Sequence, residues 1–238
     1  MNEKNNVRLE GAIIECSLGK TDEKQIQYAS MLICTSERKK DGTTENSYHR
    51  IRFAVSSENA KKIARISSDC MANKARLSSE GSDQLKEIVR NNIRVTGELR
   101  NDNKRQPVII AQENDVTYPD KISQTNGNSI SLEGTLHSVV NSSSIAATIL
   151  ISVPAGKSRN KTLVPVIIDS RKNPVEWASI TSGRTKPDDI VKVSGKLDGR
   201  LYGNGPDNAV LLRFSVISET ISIKNNLSKR QTKPVPKI

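Results

Sequence analysis

An all-β chain with short helices, folded as two small tandem domains, is the architecture this 238-residue sequence predicts. Three observations carry the prediction. Tyr48, Arg50 and Arg52 alternate with His49, Ile51 and Phe53, the two-residue period of a half-buried strand. Ile130-Ser131-Leu132-Glu133-Gly134-Thr135-Leu136 repeats Val7-Arg8-Leu9-Glu10-Gly11-Ala12-Ile13 at an offset of 123 residues, and Val193-Ser194-Gly195-Lys196-Leu197 repeats Val95-Thr96-Gly97-Glu98-Leu99 at an offset of 98. Hydrophobic residues make up only 34% of the chain, too few for one deep core and enough for two thin ones.

The elements of the first unit follow in order. Val7 to Cys16 reads as strand one, with Gly11 where the strand must bend tightly. Gln25 to Thr35 is strand two and Tyr48 to Val55 strand three. Between them Arg38-Lys39-Lys40-Asp41-Gly42-Thr43 forms a solvated hairpin tip, Asp-Gly being its turn signal beside three cations. Ser56-Ser57-Glu58-Asn59 carries capping side chains for a helix, followed by an apolar stripe of Ala60, Ile63, Ala64 and Ile66. A second helical piece with Leu85, Ile88 and Val89 follows Ser82-Asp83, so Glu58 to Val89 reads as a helix enlarged by an irregular polar insertion, Ser67 to Ser82. Strand four, Asn92 to Arg100, turns through residues 101–106 into strand five, Val108 to Thr117.

Residues 119–128 are a linker by composition, a mixture of Pro, Asp, Lys, Ser, Gln, Thr, Asn and Gly without periodicity. The second unit repeats the plan with strands Ser129 to Val140, Ile145 to Val153, Thr162 to Asp169, Ile190 to Asp198 and Ala209 to Ile217. A short helix near Pro174 to Ile180 starts on a proline suited to a first turn. The two offsets differ by 25 residues, so this unit lacks most of the helical insertion. Gly156-Lys157-Ser158-Arg159-Asn160-Lys161 takes the place of the first basic hairpin. The expected organisation is therefore 1–118, linker 119–128, 129–222, and a disordered basic tail 223–238 that holds five Lys/Arg and no acid.

Composition also excludes functions. The net charge of +11 favours nucleic acid or another polyanion as partner, and +8 of it falls in residues 119–238. Cys16, Cys34 and Cys70 are odd in number and widely spaced, which argues against a disulfide framework and a zinc site. His49 and His137 form no cluster, and Asp41 and Asp188-Asp189 are isolated carboxylates that turn or cap roles explain, so no cofactor and no enzymatic activity are expected. No apolar run approaches a membrane helix and the polar start is no secretory signal, so the expected location is the cytoplasm.

Thr35-Ser36-Glu37, the charged loop, Tyr48-His49-Arg50 and the apolar strand after it resemble strands two and three of the bacterial single-stranded DNA-binding protein (SSB) family. Val7-Arg8-Leu9-Glu10-Gly11 is similar to that family's first strand, and Ile93-Arg94-Val95-Thr96-Gly97-Glu98-Leu99-Arg100 to its fourth. The resemblance spans the first half of the chain. It implies five-stranded Greek-key OB-fold barrels, here two in tandem, and a non-enzymatic role on single-stranded DNA in replication, repair or mobile-element transfer. OB barrels also serve as protein-interaction modules of primosome assemblies and as RNA binders, and both readings remain open.

Such a protein needs cations for phosphates and aromatic faces for bases. The candidate phosphate contacts are Arg38, Lys39, Lys40, Arg50, Arg52, Arg94, Arg100, Lys104 and Arg105 in the first unit, and Lys157, Arg159, Lys161, Lys196 and Arg200 in the second. Tyr48 falls where the family's third strand carries a stacking Trp, and Tyr202 sits at the tip of a hairpin in the second unit. Tyr28 could lie on either face of its strand. Trp177, Phe53 and Phe214 read as core. The resemblance places His49 near a contact between subunits, and since SSB-like proteins work with four barrels, it implies a homodimer here, with replication or repair proteins as further partners. Lys-Pro-Val-Pro-Lys-Ile holds no acid and departs from the acidic, apolar-tipped tail typical of that family.

Overall fold

The computed structural model describes residues 5–19, 26–78, 89–102, 106–122, 127–155, 161–202 and 211–226. Five strands build the first barrel: β1 (Asn5–Leu18), β2 (Gln27–Arg38), β3 (Thr44–Val55), β4 (Asn92–Asn101) and β5 (Pro107–Thr117), with α1 (Ser57–Ser78) between β3 and β4. β1 pairs antiparallel with β2 and β4, β2 with β3, and β4 with β5, while β3 and β5 run parallel and close the barrel. The second barrel has β6 (Asn128–Ser142), β7 (Ala146–Pro154), β8 (Lys161–Asp169), α2 (Pro174–Thr181), β9 (Ile190–Tyr202) and β10 (Leu211–Lys224). Its pairings copy the first: β6 with β7 and β9, β7 with β8, a parallel β8–β10 contact, and β9 beside β10. The chain forms two compact units, one of Asn6–Ser129 with Leu197–Phe214, the other of Met1–Asn5, Ile130–Lys196 and Ser215–Ile238.

The internal repeat reaches individual contacts. Glu10 on β1 accepts an ion pair from Arg94 on β4 at 3.1 Å, and Glu133 on β6 accepts one from Lys192 on β9 at 3.0 Å, positions related by the same offsets of 123 and 98. Gly11 and its counterpart Gly134 sit where another strand crosses closely; a Cβ would overlap the Cys34 carbonyl oxygen at the first and that of Ser152 at the second. Each barrel is filled by alternate residues of its strands, Leu9, Met31, Ile33, Ile51, Ile93 and Leu99 in one and Leu132, Ile149, Ile151, Val166, Ile168 and Val193 in the other.

The helices depart from expectation. α1 is continuous through Ser78, so most of the stretch read as an irregular insertion is helix. Its buried stripe is Ile63, Ile66 and Cys70, at steps of three and four, whereas Ala64 is exposed. Ser67 hides the continuation because its hydroxyl donates to the Cys16 carbonyl at 2.8 Å, giving a polar residue a partner on the packed side. The capping signal does start the helix: Ser56 Oγ accepts from the Asn59 amide, and Ser56 and Asn59 both donate to Glu113 Oε1. The second helical piece falls at 85–89, of which only Val89 lies within the described residues.

In α2 the buried residue is Ile180, not Trp177. Eight residues are only about two turns, and the Trp177 indole N–H donates to the Ser143 carbonyl at 3.1 Å, which holds the half-buried ring beside the β6–β7 turn. Phe53 is core, whereas Phe214 is half-buried. β10 continues through Ile223 and Lys224, and Asn226 donates its amide to Asp189 Oδ1 and its side chain to the Asp188 carbonyl. Residues 227–238, with most of the basic tail, lie outside the described residues. No described helix is long and apolar enough to cross a membrane.

Candidate nucleic-acid interface

Strand parity decides what β2 and β3 present outward. Ala29, Met31, Ile33 and Thr35 point into the first barrel, as do His49, Ile51, Phe53 and Val55. The alternate residues Tyr28, Ser30, Leu32 and Cys34 therefore share the outer face with Tyr48, Arg50 and Arg52. The register places Cys34 opposite Tyr48, Leu32 opposite Arg50 and Ser30 opposite Arg52. Tyr28 is the diagonal neighbour of Arg52, whose guanidinium lies 4.7 Å from the centroid of the Tyr28 ring. This stack is the feature sequence reasoning missed. Leu32 and Cys34 blur the alternation of β2, which left the side of Tyr28 open although Ser30 marks the solvent face.

The hairpin beyond these residues is tightly made. Gly42 has φ +83, the left-handed region the Asp-Gly signal calls for. The Lys39 amide donates to the Thr43 carbonyl, and Asp41 Oδ1 accepts from both the amide and the hydroxyl of Thr43. Those two Thr43 hydrogen bonds hold the Asp41 carboxyl below its usual range. Arg38, Lys39 and Lys40 are all exposed at this tip.

Several predicted phosphate contacts carry an acidic partner. Lys39 Nζ lies 3.1 Å from Glu45 Oε2, and Arg200 reaches the other oxygen of the same carboxylate at 2.8 Å. The Lys39 hydrogen bond, with Arg200 adding to it against a desolvation penalty, holds the Glu45 carboxyl below its ordinary value. Arg200 also pairs with Asp198 at 3.0 Å, Arg100 with Glu98 at 2.7 Å, Arg94 with Glu10, and Lys196 with Glu219 at 3.8 Å. Arg38, Lys40 and the exposed Lys161 have no ion pair among the described residues. Lys104, Arg105, Lys157 and Arg159 lie outside them.

Two aromatic candidates differ in setting. Tyr48 is half-buried, and its backbone carbonyl is so close to Gly199 that a Cβ there would overlap it. Tyr202, at the end of β9, is 47% exposed and carries the Arg213 guanidinium 5.0 Å from its ring centroid. Arg213 was not singled out in the sequence; only the tertiary pairing of β9 with β10 marks it.

His49 is not at a surface. It is 2% exposed inside the first barrel, its Nε2 3.0 Å from Thr35 Oγ1, and burial pushes its imidazole down to about 3. As an inward residue of β3 it has no face to offer a second copy, which corrects its expected place at an oligomer contact. Among the described residues no group of three His, Cys, Asp or Glu side chains is placed to hold a metal ion.

This closed β1-β2-β3-β5-β4 barrel, made twice, overlays on solved structures. The single-stranded DNA-binding protein of Thermus aquaticus matches over 95% of this chain and 95% of its own, with a TM-score of 0.56 and 13% identity. A deletion mutant of that protein matches over 94% and 96%, with a TM-score of 0.54 and 13% identity. Both units here are OB barrels. No protein-family model and no curated protein matches the sequence. The likeness is thus one of architecture.

Proposed function

We propose that this chain is a non-enzymatic single-stranded DNA-binding protein that holds exposed strands during replication, repair or mobile-element transfer. The observation that carries the reading is the outer face of β2–β3, where Arg52 stacked on Tyr28 stands beside Arg50 and Tyr48, next to the basic hairpin Arg38-Lys39-Lys40. Cations for phosphates and aromatic faces for bases are the two requirements of sequence-tolerant single-strand binding. Tyr202 with Arg213 supplies a similar pair on the second barrel. Arg38, Lys40, Arg50, Arg52 and Lys161 contact phosphates; Lys39, Arg94, Arg100, Lys196 and Arg200 do so by exchanging a carboxylate for a phosphate. Lys104, Arg105, Lys157 and Arg159, outside the described residues, are further candidate phosphate contacts. The protein acts in the cytoplasm as a homodimer that supplies four OB barrels, and a light-scattering mass of one chain would refute the dimer.

The test is a titration of fluorescent oligo-dT of about 35 nucleotides, long enough to cover two barrels at roughly 4–16 nucleotides each. Duplex DNA, the matching RNA and heparin are the controls. Tight single-strand binding, weak duplex binding and a linear dependence of log affinity on log salt are expected. Equal affinity for DNA, duplex and heparin would refute the proposal. Preference for RNA would move the substrate to RNA.

A further inference from the structure

The far half of α1, within the stretch that reads from sequence as an irregular polar insertion, walls a groove of about 360 Å³ against β1 and β2 of the first barrel. That volume lies in the range of small-molecule sites. Its lining is mixed: half-buried Leu32 and the buried Met31, Cys16 and Cys70 stand with the exposed Ser17 and Ser30. Ile14, 46% exposed, and Met71, 67% exposed, stand at its rim. Both project apolar surface into solvent beside charged neighbours. Arg50 lines the groove, Lys74 stands on α1 with its side chain 83% exposed, and Glu15, 3.8 Å from Lys74, is the one acid among the described lining residues.

We infer that this groove is a base-binding subsite, in which an unstacked nucleobase of a single strand packs between Ile14, Leu32 and Met71 while Arg50 and Lys74 take the flanking phosphates. Charge and continuity favour this occupant. Among the described lining residues two cations face one carboxylate, and Arg52, two residues along β3 from Arg50, joins the groove to the Tyr28 stack on the same outer face. A thioether is polarizable and packs well against a planar ring. The floor adds no opposing charge, since burial, with the neighbouring Cys70 adding to it, pushes the Cys16 thiol up to about 12. Among the described residues the second barrel has no equivalent wall, because its β8–β9 connection holds only the eight-residue α2. The two barrels thus contribute unequally, and the first carries the base-reading groove.

The inference rests on the single-strand reading, and one experiment separates the two. Oligo-dT is titrated at several salt concentrations against the full chain and an Ile14→Ser/Met71→Ser variant, with Val175→Ser, which removes an exposed apolar side chain from α2, as control. The expected result is an affinity lowered about tenfold in the double variant, the scale of one lost base contact, with an unchanged salt slope because no phosphate contact is removed. Val175→Ser should bind as the parent does. Met71→Trp gives a readout independent of stability: its added emission should be quenched by dT. A parent that binds dT, with both groove variants unaffected, would overturn the subsite and leave the groove to a protein partner. A parent that fails to bind dT would overturn the single-strand reading and the subsite with it.

Discussion

Glu45 is the residue whose removal should strengthen DNA binding. Its carboxylate holds Lys39 at 3.1 Å and Arg200 at 2.8 Å, so a phosphate approaching either cation must displace it. Glu45→Gln keeps the shape and removes the charge. The folded protein loses little by this, since the three side chains are 34% to 50% exposed and pairs of that kind contribute only about 0.2–1 kcal/mol each. Each cation that goes on to neutralise a phosphate on a single strand adds about 0.7 to the salt slope. Lys39 is then fully released and Arg200 keeps Asp198, so the slope should steepen by between ~0.7 and ~1.4, with tighter binding at low salt. The assay is the oligo-dT titration at four or more salt concentrations. An unchanged slope would show that neither cation meets the strand and would refute the reasoning. A pH series adds an internal check. Glu45 titrates below its ordinary value, so its ion pairs stabilise the fold above that value and the contribution fades as pH falls through the depressed one. Glu45→Gln should lack this component in thermal melts.

Three further outcomes are expected. Tyr28→Leu keeps a packed side chain but removes the ring under Arg52, and should weaken oligo-dT binding about tenfold, given roughly 1–3 kcal/mol per stacked base; parental affinity would return Tyr28 to packing. His49 is held neutral down to about 3 while the unfolded chain takes up its proton near ~6.5, so stability is present above that pH and should be lost on acidification at about 1.4 kcal/mol per pH unit. Urea unfolding between pH 6.5 and 5 should show this slope in the parent and not in His49→Gln. Gly134→Ala places a Cβ on the Ser152 carbonyl and should cost about 1–3 kcal/mol by overpacking, as should Gly11→Ala at the related position, both read from thermal midpoints.

Strand order, the two-barrel plan and the basic hairpin were legible in the sequence because their causes are local. A period of two arises from the pleat of each strand, Asp41-Gly42 makes its turn from its own dihedral freedom, and a duplicated barrel must repeat Glu-Gly and Gly-x-Leu where its strands cross. The continuity of α1 was not legible, since the polar stretch from Ser67 onward reads as irregular until the Cys16 carbonyl gives Ser67 a partner and Cys70 packs into the core. The same holds for Trp177, whose place depends on a carbonyl at Ser143, 34 residues away. His49 alternates correctly onto the inner face, yet only Thr35 across the strand pair shows that it is buried and satisfied there.

By itself, then, the sequence determined which residues could be cationic or aromatic surface and on which strands they lie. Tertiary structure alone decided which cations are engaged by carboxylates, that Arg52 covers Tyr28, and that Ile14 and Met71 face one groove. The physical reason is range. Alternation and turn chemistry act over a few residues, whereas the 155-residue separation of Glu45 and Arg200 is bridged only once the chain has folded.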